Sequence, residues 1–261
     1  MQNFGISLKN FMFGSLSVLL FFGFWEFASR TGLVISAVIP PPTLVLQALI
    51  DSAASGELFS HMLVSVGRAG TGFLLAVVLA IPAGFVVGTY FKTVEKALLP
   101  FLRMLEKLNP FALFPVFMIL FGIGNFEKIM VIFWVTQWPL LFNTAAGAKS
   151  IDVNMVRSAR SMGANRKTVF LKVILPWAVP NIFTGIKISA QLAFFMIIAS
   201  EMMGSSQGLG WYYLSSSQAY QIPLMYGIIL FITLLAVIMN GLFTKLERHF
   251  LVWKENSFQV N

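Results

Sequence analysis

Long apolar runs, each close to the thickness of a bilayer, alternate with short polar connections along this chain. A helix rises 1.5 Å per residue and needs roughly 20 mostly apolar residues to cross the hydrocarbon core. The runs predict spans over about 11–28, 69–90, 98–121, 129–146, 181–203 and 223–243. The first is short, and Lys9 before its apolar core also suits a cleaved signal peptide. Ala28-Ser29-Arg30 is a poor cleavage site, so an uncleaved helix is the better reading. The second run holds Gly84-x-x-x-Gly88, a spacing that lets two helices approach closely. Asn109-Pro110 and Pro115 interrupt the third, and Pro139 lies inside the fourth. In the 31–61 connection, Pro40, Pro41 and Pro42 cannot sit in a helix interior. Thr43 is there the expected N-cap of a short amphipathic helix through Ile50. A glycine- and serine-rich connection, 204–221, follows the fifth span. The expected fold is all-α and integral to the membrane: one transmembrane domain, 1–261, of about six helices.

Composition agrees. Hydrophobic residues make up 57% of the chain and charged ones 11%, against about 25% charged in soluble domains. Cysteine is absent, which excludes disulfides and thiolate chemistry. His61 and His249 are the two histidines and lie far apart, so neither a metal site nor a catalytic residue is expected. The net charge of +8 raises nucleic acid as a partner, and its distribution removes it. With the N-terminus inside, the cytoplasmic segments carry Lys9, Lys92 and Lys96. They also carry Lys149, Arg157, Arg160, Arg166, Lys167 and Lys172, then Lys245, Arg248 and Lys254. The opposite side has Arg30 and Lys128. This asymmetry predicts that both termini and the 149–176 loop are cytoplasmic, with 31–61 and 204–221 outside.

The 149–176 loop is patterned. Asp152 can cap a helix in which Met155, Val156, Ala159 and Met162 form one apolar stripe, with Arg157 and Arg160 pointing elsewhere. Gly163 is a natural stop, and Asn165 can cap a second helix over 166–175, up to Pro176. The pattern predicts a helix–turn–helix at the membrane surface. On periodicity alone, an amphipathic helix lying on anionic lipid fits equally well.

Ser158-Ala159-x-x-x-Gly163-Ala164, followed by Phe170-x-x-Val173-x-Leu175-Pro176, resembles the EAA motif of ATP-binding-cassette (ABC) importer permeases. This chain departs from that motif with Arg157 in place of its glutamate, Ser158 for its first alanine and Val173 for its isoleucine. Ile39-Pro40-Pro41-Pro42-Thr43, Phe121-Gly122-Ile123-Gly124, and Glu201 followed by Gly208-Leu209-Gly210 resemble the nitrate/sulfonate/taurine branch. The resemblance covers about residues 35–250. It implies a type I permease subunit of the inner (plasma) membrane, a transport subunit and not an enzyme. Two cytoplasmic ABC ATPases would bind ATP and Mg, and this chain would bind no cofactor. A second copy of the permease would complete the pathway within membrane lipid, and an extracytoplasmic binding protein would deliver the solute. The ATPase contacts would be Met155, Val156, Arg157, Ala159, Arg160, Met162, Gly163 and Ala164. The sequence holds no G-x-x-x-x-G-K-[ST] run, consistent with ATP hydrolysis on a partner. A small anion such as sulfonate, taurine or nitrate is the expected cargo, with bicarbonate or a vitamin precursor as alternatives.

Polar groups inside spans are costly and mark pathways or helix–helix bonds. Asn109, Pro110, Gln137, Gln191 and Glu201 are the candidate pathway residues; Asn143 is also polar, and Lys187 lies near enough to the inner face to snorkel. An ion-coupled secondary transporter is the alternative class and would need embedded carboxylates, of which Glu201 is the candidate. A membrane-embedded enzyme lacks a nucleophile–base or metal constellation.

Overall fold

The computed structural model describes residues 16–17, 19–90 and 92–250; for 90, 92–97 and 249–250 it describes the backbone alone. The start of the first predicted span, Lys9, and the tail from 251 with Lys254 lie outside the described residues. The described part is helical: α1 (19–30), α2 (Pro42–Ala54), α3 (Glu57–Phe85) with a π-turn to Tyr90, α4 (Lys92–Glu106), α5 (Pro110–Phe121) and α6 (Asn125–Lys149). Then come α7 (Val153–Ser161), α8 (Arg166–Val169), a π-turn (Phe170–Ile174), α9 (Leu175–Met202), α10 (Leu209–Gln218) and α11 (Ile222–Phe250). Among the described residues four helical stretches are long and apolar enough to cross a membrane: Glu57–Thr89, Asn125–Lys149, Arg166–Met202 and Ile222–Arg248. Leu98–Glu106 and Pro110–Phe121 pass together as a fifth, bent by 94°.

The chain forms two compact units. One joins the residues up to His61 with Tyr212–Ile232. Here α2 starts on a proline: Pro41 is the cap residue and Pro42 the first helical position, where a missing N–H costs nothing. Thr43 is therefore inside the helix and not its cap. Its N–H and hydroxyl instead donate to the two oxygens of Glu26 on α1, at 3.1 and 2.9 Å. His61 stacks on Tyr212 at 4.7 Å, and the Tyr212 hydroxyl meets Ser52 at 2.7 Å and donates to Glu57 at 3.2 Å. Burial pushes the Tyr212 phenol above its ordinary range.

The second unit, Met62–Trp211 with Thr233 onward, holds most of the buried apolar residues. Its central pair is α6 and α9, with α3 and α5 laid against α6. Lipid tails are as apolar as leucine, so close van der Waals approach has to hold such helices together. Gly84 and Gly88 supply it. A Cβ at Gly84 would stand 2.7 Å from the Leu141 carbonyl oxygen, and one at Gly88 2.7 Å from that of Ala145. Between α6 and α9, the Ser189 hydroxyl donates to the Thr136 carbonyl at 2.7 Å.

Two elements differ from the sequence expectation. The second helix of the loop does not end at Pro176. It continues through a π-turn into α9 as one stretch, Arg166–Met202. Pro176 has no N–H to give the carbonyl one turn earlier, and the wider i→i+5 pattern of the π-turn absorbs that gap without breaking the helix. The third predicted span is two half-helices. Met104 and Leu105 carbonyls take the amides of Lys107 and Leu108, and Asn109 opens a new helix by accepting from the Phe111 amide at 3.0 Å.

Candidate functional site

Two groups of residues sit at opposite ends of the helical stretch Arg166–Met202. At its start lies the loop. The Asp152 carboxylate accepts the Asn154 amide at 2.8 Å and so caps α7. The chain turns at Gly163 with φ +82°, in the left-handed region where a Cβ is disfavoured. The Asn165 side chain then accepts the Thr168 amide at 2.8 Å. The apolar stripe of α7 divides in two. Ala159 is buried and Val156 half-buried, both within a cluster that includes Phe85, Val169, Ile174 and Ala178. Met155 and Met162 face outward, Met162 82% exposed. Arg157, Arg160 and Gly163 are exposed and Ala164 is half-buried. The outward residues border an open groove of about 560 Å³, lined by Met155, Met162, Lys172, Val173 and Trp177 among others. The short helix is thus seated on the body by one half of its stripe and leaves the other half, flanked by cations, exposed.

At the far end Glu201 is fully buried, and its carboxylate is completely engaged. Oε1 accepts from the Arg68 guanidinium at 2.8 Å. Oε2 accepts from the Ser65 hydroxyl at 2.7 Å and the Gly210 amide at 3.1 Å. Arg68 also donates to the Asn125 side chain, at 2.6 and 2.9 Å, and to the Gln207 carbonyl at 2.8 Å. Gly208, at φ +111°, passes so close that a Cβ would fall on the Glu201 carboxylate. Beside this network the buried Lys128 ammonium pairs with Glu127 at 3.0 Å and donates to the Gly204 carbonyl at 3.2 Å. The 204–210 loop is therefore fastened to α3, α6 and α9 together.

The remaining candidates are dispersed. Asn109 is exposed at the break, and Pro110 and Gln137 are half-buried. Gln191 is exposed on α9 and donates to Asn240 of α11 at 2.8 Å, one face with Lys187, which pairs with Glu247 at 3.4 Å. Asn143 donates back to the Pro139 carbonyl at 2.8 Å. Arg68, Ser65 and Asn125 escaped the sequence reading. The available signal was charge: an arginine near the start of an apolar run requires a counter-charge, and Glu201 stands in another such run.

The described residues are helical, with four or five apolar stretches long enough to cross a membrane and a capped, outward-facing short helix in the polar 149–176 loop. Among solved structures the chain is similar to an inward-facing conformation of the MetNI methionine ABC transporter, with a TM-score of 0.65 at 14% identity over 74% of this chain and 96% of that one, a likeness of fold. A protein of Bacillus subtilis (strain 168) named as an aliphatic sulfonates transport permease, SsuC, is 31% identical over 95% of this chain and 89% of its own. The taurine transport system permease protein TauC of Escherichia coli (strain K12) is 30% identical, covering 92% and 88%. The bicarbonate transport system permease protein CmpB of Synechocystis is 32% identical, covering 77% and 74%. Residues 80–252 match the family described as the binding-protein-dependent transport system inner membrane component. The chain belongs to that family and is the membrane permease subunit of an ABC importer, in the sulfonate/taurine/nitrate branch.

Proposed function

We propose that this permease moves a small anion inward, powered by two cytoplasmic ABC ATPases that bind ATP and Mg, with α7 as the element that receives their motion. The observation that carries the reading is the divided stripe of α7: Val156 and Ala159 packed inward, Met155 and Met162 exposed. A helix held on one side moves with the body, and an apolar ridge on the other fits a groove as an amphipathic helix does. The loop's second helix continues unbroken into α9, so displacement of α7 reaches a span across the one turn at Gly163. Methionine suits an interface that must hold through a change of shape. A second copy of the permease faces this one across the pathway, with Asn109, Pro110 and Gln137 toward it. ATP-driven closure then alternates access between the two sides. A binding protein delivers the solute at the 31–61 and 204–221 side, and both termini lie in the cytoplasm. The names of the sulfonate, taurine and bicarbonate relatives support an anionic cargo.

The experiment is co-purification of the ATPase with the permease carrying Met155→Asp or Met162→Asp. Each substitution sets a charge in an apolar contact without touching a span. The chain is expected to insert normally, while ATPase recovery and solute-stimulated ATP hydrolysis fall. Undiminished recovery with normal transport would remove α7 as the coupling element and leave it a lipid-surface helix.

A further inference from the structure

The break between the half-helices α4 and α5 carries an unusual charge. Arg103 sets its guanidinium carbon 4.2 Å from the centre of the Phe142 ring on α6. Its neighbour Leu102 packs against Ala76, Ala80, Leu140 and Leu141 of α3 and α6, so the position is fixed from both sides. Phe142 stands about 10 Å along the axis from the end of α6 at Lys149. With α6, 25 residues long, centred on a hydrocarbon core of about 30 Å, that level lies a few ångström inside the core. More than half of the Arg103 side chain is nevertheless open, at 55% exposure. Its ion pair among the described residues is with Glu106, at 3.4 Å and one turn on along the same helix. Lys107 beside it is exposed as well, and α5 carries no charged residue.

A guanidinium at this depth persists where it meets a partner or a water-filled path. The Phe142 ring sits 4.2 Å from the guanidinium carbon, and Nη1 donates to Glu106 Oε2 at 3.4 Å, which leaves the Nε–H and Nη2–H edge for a ligand. That fork matches an oxyanion in bidentate fashion. The neighbouring backbone does not compete, because Asn109 caps the first free amide of α5 itself.

We propose that Arg103, seated on Phe142 at the break, is the group of the pathway that receives the oxyanion head of the transported solute, whether sulfonate or bicarbonate. This assignment rests on the anion reading given above. A phospholipid phosphate offers the same chemistry, so the test separates the two sources. The complete importer is reconstituted in vesicles of phosphatidylcholine alone and of phosphatidylcholine with phosphatidylglycerol. Uptake of ethanesulfonate and of bicarbonate, delivered with the binding protein, is then measured. Arg103→Gln is expected to lower uptake by about tenfold or more, the worth of one charge-assisted hydrogen bond. Arg103→Lys keeps the charge and loses the fork, so it is expected to raise the half-saturating probe concentration severalfold. Both effects are expected to be equal in the two vesicle types, with unchanged ATPase co-purification. Phe142→Leu, which removes the ring beneath, is expected to lower uptake about two- to fivefold. Wild-type uptake in Arg103→Gln overturns the assignment. A loss that follows phosphatidylglycerol content also overturns it, making Arg103 a lipid anchor. Should Arg103→Gln fail to assemble, an unchanged half-saturating concentration in Arg103→Lys overturns it equally. If the wild-type importer takes up neither probe, the anion reading fails and this assignment falls with it; if the wild type works and the variants match it, this assignment alone falls.

Discussion

The stretch Arg166–Met202 begins and ends in opposite ways. Its first end takes its shape from local devices. Asp152 and Asn165 each bond an amide two or three residues ahead, and Gly163 turns the chain in open space, with nothing within 4 Å of where its Cβ would stand. Its last end is held by residues drawn from distant parts of the chain, Ser65, Arg68 and Asn125 among them, around a carboxylate with no exposure to solvent. If α7 is the coupling element proposed above, the contrast separates two tasks. An element that must meet a partner and move with it needs a defined shape and a free face. A loop that must stay closed needs buried, mutually dependent bonds, because a half-satisfied buried network is worse than none.

The largest expected effect lies at the locked end. Arg68→Leu leaves the Glu201 carboxylate buried without its cation, and breaking such a pair costs about 3–5 kcal/mol. The purified permease in detergent is expected to melt well below the wild type. Adding Glu201→Leu removes the stranded charge and is expected to restore much of the loss. A single variant as stable as the wild type would show that the Glu201 network does not hold the loop.

The two glycines sharpen the same comparison. Gly208→Ala meets both a disfavoured φ of +111° and the Glu201 carboxylate, so it is expected to cost about 1–3 kcal/mol and to loosen the 204–210 loop toward proteolysis. Gly163→Val meets only the backbone penalty, about 1–2 kcal/mol confined to the turn. Global stability is expected to stay near the wild type while ATPase co-purification weakens, because α7 swings away. Equal global destabilisation by the two variants would mean that the ends of the helix are not differently built.

This difference also explains what could be read from the sequence. Caps, left-handed glycines and apolar runs act over a few residues, so Asp152, Gly163, Asn165 and the span pattern are visible in the chain as written. The π-turn at Phe170–Ile174 is not, because Pro176 reads as a stop unless the helix on either side is already held by packing against Phe85 and Ala148. The partners of Glu201 were invisible for another reason. Pairing Arg68 with Glu201 depends on which spans are neighbours, and periodicity within one helix carries no such information. The count of cations by side of the membrane left Arg68, Arg103, Lys107 and Lys187 aside, since they fall in or beside spans, and three of these four make ion pairs at the sites described above.

The smallest expected effect belongs to Gln191, which separates a pathway residue from a helix–helix contact. Its amide donates to Asn240 at 2.8 Å, and Lys187–Glu247 repeats the α9–α11 link about one turn away. Hydrogen bonds between membrane helices are worth about 0.6 kcal/mol on average. Gln191→Leu is therefore expected to lower stability by about that amount, with Asn240→Leu equal to it. The double variant should lose no more than either alone, since both singles remove one bond. Transport by all three is expected to stay near the wild type. A different result would be informative in a definite way. If Gln191→Leu abolishes transport at unchanged stability while Asn240→Leu does not, the amide serves the solute, and α9 lines the pathway at its middle.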